Sequence, residues 1–311
     1  MKQDPISRQQ SAPKWFSIFG TLLVLLSFYY IGMQLWGYRE TLQEWTPTTG
    51  SIVAVGIGII IYALANYLLA AAWIQLLRLC GEQAITWQSL ARIYGKSQIG
   101  KYIPGNIAHI AGRHAMGRIA GASHSHLAIS SLYEIIGLIS AALIITLIGG
   151  RAVLDQLTSL SWMIVILPLI LVMYLFIPRL VQRFRPGVRY ISPLFMLLPL
   201  IYYSLFFLAS GAALAVVGHY TESLTTQSNN LLILSAFAIS WSVGFVTPGA
   251  PSGIGIREAI LILLLSPMSG EGAALILALL FRLVTIGGDI IFYLLSLVSI
   301  SSWSKSTLQD R

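Results

Sequence analysis

Long apolar runs alternate with short polar gaps along nearly the whole chain. Six runs, roughly 16–36, 51–79, 126–149, 160–177, 194–218 and 272–300, approach or exceed the ~20 residues a helix needs to cross a bilayer. Each is expected to be helical, because an open sheet edge has no hydrogen-bond partners in hydrocarbon. Two further regions, 86–118 and 229–267, are apolar but interrupted near the middle by Pro-Gly. The first contains GKYIPGNIAHIAGR (100–113) and the second GFVTPGAPSGIGIRE (244–258). After the second break only Ile254–Ser266 is apolar, which suits a half-helix better than a crossing. The pattern predicts an all-α polytopic integral membrane protein in one membrane domain. It has about six full spans plus two re-entrant hairpins. An eight-crossing arrangement, with both broken regions passing through, is the alternative.

Composition agrees with that class. The 311 residues are 56% hydrophobic and 10% charged, with mean hydropathy +0.78, and no stretch remains for a sizeable soluble domain. The single Cys80 excludes an internal disulfide and a multi-cysteine metal site. The first apolar run is long enough to span and is followed by no small-residue cleavage site, so it reads as an uncleaved span.

The net charge of +8 does not point to nucleic acid, since no soluble basic domain carries it. It follows the membrane faces instead. Fifteen of the Lys and Arg residues fall on one proposed side, against Arg39 and Arg151 on the other. The positive-inside bias places the tails 1–15 and 303–311 in the cytoplasm, for a multi-pass protein of the cell inner (plasma) membrane.

Aligned without gaps, the two breaks share a pattern. Gly100, Pro104, Gly105, Ile110, Arg113 and Ala115 match Gly244, Pro248, Gly249, Ile254, Arg257 and Ala259. With the copies entering from opposite faces, this is an inverted repeat, and paired broken segments point to a midplane transport site. Pro removes a backbone donor and Gly permits a sharp turn, so a helix ends there and the next begins with free N–H groups. Such groups suit an anion.

Ionisable residues inside apolar context are costly and mark function or pairing. Lys101, Arg113, Arg257 and Arg282 stand against Glu134, Glu258 and Asp289. As structural ion pairs, Glu134 would join Arg113 and Asp289 would join Arg257 or Arg282. As a site, Lys101, Gly105, Arg113, Gly249, Arg257 and Arg282 would bind an anionic headgroup. Glu134, Glu258 and Asp289 would then balance charge or couple to protons. His109, His114, His124 and His126 have poor ligand spacing, and no metal is expected. Gly287 and Gly288 suit close helix packing. Tyr202, Tyr203, Phe206 and Phe207 read as packing residues. No Walker A, Rossmann or nucleophile-elbow pattern is present, and no cofactor is expected.

SQIGKYIPGNIAHIAGR and TPGAPSGIGIREA closely resemble two signature stretches of the lysylphosphatidylglycerol synthase transmembrane-region family. The resemblance covers most of the chain. It implies a flippase-like membrane domain without the C-terminal synthase domain of the two-part members. It implies no enzyme activity in this polypeptide. The expected partner is a membrane lipid headgroup: an anionic or aminoacylated phospholipid, or an isoprenoid-linked lipid. The resemblance leaves the oligomeric state open. The alternatives are an integral membrane glycosyl- or acyltransferase, and a non-catalytic partner of a lipid-modifying enzyme.

Overall fold

The computed structural model describes residues 29, 32–33, 36–37, 39–103, 107–154, 163–184, 191–221, 223–224, 229–247 and 250–298. The tails 1–15 and 303–311, most of the first expected span, and Gly105 and Gly249 lie outside the described residues. The described chain is α-helical, with no strand among those residues. A short helix α1 (Arg39–Glu44) precedes α2 (Thr49–Leu79). The first broken region is α3 (Trp87–Gln98), a 3-10 turn at Ile99–Tyr102, and α4 (Ala108–Ile119). Then come α5 (His124–Leu154), α6 (Met163–Phe184) and α7 (Pro193–Tyr220). The second broken region is α8 (Asn230–Val246), a 3-10 turn at Pro251–Gly253, and α9 (Ile256–Ser269). Helix α10 (Glu271–Val298) follows.

Five apolar stretches among the described residues are long enough to cross a membrane: Thr49–Leu79, His124–Gly149, Pro193–Tyr220, Pro251–Ser269 and Glu271–Leu297. The protein is a multi-pass α-helical membrane protein. Within Pro251–Ser269 the regular helix α9 has 14 residues. Its length of about 21 Å falls short of a ~30 Å hydrocarbon core.

The helices turn apolar side chains outward, as a lipid-facing bundle must. Ile52, Val53, Ile60 and Leu64 on α2, and Leu194, Phe195 and Ile201 on α7, are exposed. Small residues hold the interior together. A Cβ at Gly288 would lie 3.0 Å from the Ala63 nitrogen and 3.1 Å from the Ile59 oxygen, so α10 meets the α2 backbone directly. Phe206 and Phe207 are fully buried among Phe237 and Trp241, and Tyr203 is fully buried beside Gly137, as packing residues.

Contacts between helix ends fix the path of both hairpins. Where α2 ends and α5 begins, the Ser123 N–H donates to Glu82 Oε2 at 3.2 Å, and His126 lies 3.6 Å from that carboxylate. The α3–α4 hairpin therefore starts and finishes at one end of the bundle. At the opposite end, Gly50 near the start of α2 packs on Tyr220, the last residue of α7. Gly149 near the end of α5 packs on Leu231 and Ser235 at the start of α8. Helix α10 runs parallel to α2, since Gly58 meets Val284, Asn66 meets Asp289 and Tyr67 meets Phe292 in that order. It therefore starts where α2 starts, one residue after α9 ends. The α8–α9 hairpin thus also returns to the end it left, and this is the opposite end. That geometry matches the arrangement with two returning hairpins rather than the eight-crossing alternative.

Candidate functional site

The tips of the two hairpins meet inside the bundle. Their 3-10 turns pack against each other, level with Asn66, about halfway along the 31-residue α2. Each break also folds back on itself in the same register. A Cβ at Gly100 would lie 3.0 Å from the His109 nitrogen, and one at Gly253 would lie 2.8 Å from the Gly244 Cα. Both are approaches across nine positions, at equivalent places in the sequence pattern.

Four charged clusters line this meeting point. Arg113 on α4 donates to Glu134 on α5 through Nη1 to Oε1 at 2.9 Å and Nη2 to Oε2 at 2.5 Å. The Tyr94 hydroxyl donates to Oε1 at 3.0 Å. The same guanidinium lies 4.9 Å from the Trp73 ring centroid and 4.4 Å from that of Tyr94. This pair is buried, bidentate and flanked by aromatic faces, the geometry in which arginine is held most firmly.

Asp289 on α10 accepts three groups. Lys101 Nζ is 2.7 Å from Oδ2, the Tyr102 hydroxyl 2.6 Å from Oδ2, and Asn66 Nδ2 3.3 Å from Oδ1. It thus ties the first hairpin tip to both long parallel helices. Arg282, one turn pair earlier on α10, points to the other tip. Its Nη1 donates to the Ser252 carbonyl at 3.3 Å and lies 3.3 Å from Glu258 Oε1. Asp289 therefore pairs with Lys101, and not with Arg257 or Arg282 as spacing along the chain suggested. Sharing one helix face put Arg282 and Asp289 near each other, but each is drawn to a different hairpin tip.

Arg257 is the exception. Among the described residues no carboxylate forms an ion pair with it. Its guanidinium lies 5.0 Å from the Trp241 ring centroid, its Nε has no hydrogen-bond partner, and the residue is 8% exposed. The side chain reaches this position through a slot between two glycines. A Cβ at Gly244 would fall 2.5 Å from its Cγ, and one at Gly253 would fall 2.8 Å from its Nε. Arg113 and Arg257 hold equivalent positions in the sequence pattern but differ in state. One is locked by a carboxylate and the other is held by backbone contact and an aromatic face.

The second tip is strained where it turns. Ser252 is buried and has φ +52°, a left-handed conformation that costs a residue with a Cβ about 1 kcal/mol or more. Gly255, at φ +87°, precedes α9, and its N–H donates to Glu258 Oε2 at 2.6 Å. The free N–H groups expected at the start of this half-helix are thus partly taken by its own glutamate. Helix α4 starts at Ala108, and its N-cap Ile107 makes no side-chain cap hydrogen bond.

A narrow cavity of about 30 Å³ joins these groups, lined by Lys101, His109, Arg113, Glu134, Ser252 and Arg257 among others. That volume holds about two waters. The structure therefore brings Lys101, Arg113, Glu134 and Arg257 to one cavity, with Asp289 bonded to Lys101 and Arg282 to the Ser252 carbonyl in its wall, and Glu258 joined to it through Arg282. Tyr62, Tyr94, Trp73, Trp241, Asn66 and Tyr102 belong to the site and were not legible as site residues. Aromatic and amide side chains in apolar runs carry no sequence signal of their own. His114 and His124 sit apart, 2.8 Å from each other on an exposed surface.

A scan against protein-family models finds no match to this chain, and a search of curated proteins finds none.

Proposed function

We propose that this protein moves a phospholipid or isoprenoid-linked lipid between membrane leaflets. The headgroup passes between the two hairpin tips while the chains stay in lipid. The carrying observation is Arg257, a guanidinium with no carboxylate ion pair among the described residues, halfway up the bundle on a cavity that Lys101, Arg113 and Glu134 also line. An intramembrane charge costs about 2.5–3.5 kcal/mol on insertion scales, so it persists where a counter-ion or substrate uses it. The opposed entry of the two hairpins supports reading them as an inverted repeat, and the Lys/Arg bias supports cytoplasmic termini. Alternating access follows from such a pair, as one hairpin parts from its surroundings while the other stays closed.

The cavity of about 30 Å³ has room for water and not for a headgroup, and so corresponds to a closed state. Admission requires the tips to separate. The Lys101–Asp289 and Arg282–Glu258 contacts are the ones that must loosen, because each joins one hairpin to α10. The resemblance to flippase-like domains supports the same reading, with a lipid-modifying enzyme as a possible partner.

The test is leaflet sidedness. Purified protein in sealed vesicles should speed the loss of a chain-labelled lipid from the protected leaflet relative to protein-free vesicles. Equal rates with folded protein would refute the reading. Formation of a new lipid from a sugar or acyl donor would establish a transferase instead.

A further inference from the structure

The pairing of charges at the hairpin tips narrows the substrate class, on the basis of the translocation reading. Three of the four cations each have a carboxylate: Arg113 with Glu134, Lys101 with Asp289, and Arg282 with Glu258. Arg257 alone has none among the described residues. The residues of the two breaks outside the described set, 104–106 and 248–249, contain no ionisable side chain. With His109 counted neutral, the site carries one net positive charge. From this we infer that the site takes a headgroup of net charge −1, a single phosphodiester, with the phosphate on Arg257.

The physical reason is desolvation. Unbalanced charge is costly in a cavity with little water, so the bound state whose total lies nearest zero is favoured. A phosphodiester brings the site to neutrality. A zwitterionic headgroup leaves +1, and a lysyl ester of a phosphatidylglycerol, with net charge +1, leaves +2. A phosphomonoester, at −1.5 to −2 near pH 7, or a pyrophosphate overshoots the other way. Among the described residues the Arg257 guanidinium makes no hydrogen bond, its buried Nε included, and Trp241 covers one guanidinium face. Phosphate oxygens then approach along the edge, the bidentate geometry arginine favours. The Glu134 carboxylate need not release Arg113 for this binding.

The experiment uses four chain-labelled lipids in vesicles at pH 8: phosphatidylglycerol, phosphatidylethanolamine, lysyl-phosphatidylglycerol and phosphatidic acid. Rates are taken relative to protein-free vesicles. Phosphatidylglycerol is expected to cross at least tenfold faster than the other three. Asp289→Asn adds one positive charge and is expected to shift the preference toward phosphatidic acid. Should that variant not fold, Glu258→Gln makes the same change of charge at the second tip. Equal rates for all four lipids, or a preference of the unaltered protein for one of the other three, overturn the inference and leave translocation standing. No acceleration of any of the four also overturns the inference, and it removes phospholipids from the translocation reading, leaving isoprenoid-linked lipids as its only substrate class.

Discussion

Arg257 threads between Gly244 and Gly253, with its Cγ where a Gly244 methyl would stand at 2.5 Å. The guanidinium reaches the cavity because neither glycine has a side chain. Gly244→Ala should therefore misplace Arg257 while leaving the helices intact. Overpacking of this kind typically costs about 1–3 kcal/mol. The expected outcome is a modest drop in melting temperature with lipid transport reduced as far as in Arg257→Ala. Transport at the unaltered rate in Gly244→Ala would show that the slot does not position the arginine.

The Arg113–Glu134 pair is a structural clamp joining the first hairpin to α5. Removing one partner of a buried pair leaves an uncompensated charge, at a cost of about 3–5 kcal/mol. Arg113→Met and Glu134→Leu should each destabilise strongly, and the double variant should recover much of the loss. Thermal melts of the single and double variants in detergent form the cycle that checks this. Additive losses would mean that the two side chains do not couple.

Asp289 holds Lys101, Tyr102 and Asn66 together. Its removal should release the first hairpin tip from α2 and α10. In Asp289→Ala, hydrogen exchange is expected to rise in residues 99–103 before it rises in the centre of α2. Unchanged protection at 99–103 would place the anchor of that tip elsewhere.

The arrangement of hairpins is open to a labelling test in a Cys80→Ser background. Gln83→Cys and Ala120→Cys, at the two feet of the first hairpin, should react with an impermeant reagent from one face of the membrane. Thr48→Cys and Glu271→Cys should react from the other face. Reaction of Gln83→Cys and Ala120→Cys from different faces would contradict the returning path. Reaction of the first pair from the cytoplasm matches the positive-inside reading of the chain.

Much of the fold was legible because breaks and apolar lengths are local properties. The expected hairpins 86–118 and 229–267 correspond to Trp87–Ile119 and Asn230–Ser269. Helix α6 runs past the expected end at 177 to Phe184. Arg179 and Arg183 there are compatible with a helix leaving the membrane, where long basic side chains reach the interface. The charged site residues stood out for the same local reason, their rarity in apolar sequence. Their pairing did not, because Tyr102 and Asp289 meet across 187 positions, and only the packing of α2 against α10 decides which acid reaches which tip. The glycine slot left one trace. Gly244 is a matched position of the sequence pattern and Gly253 is not, so only half of the slot was marked in the sequence.

The role given to Arg257 is tested most directly by a charge series at that position. Lipid translocation into sealed vesicles would be compared for the unaltered protein, Arg257→Lys and Arg257→Gln, each confirmed as folded by its melt. The expected result is partial transport with lysine and the protein-free rate with glutamine. Full transport by Arg257→Gln would contradict a mid-membrane anion site at the junction of the two hairpins.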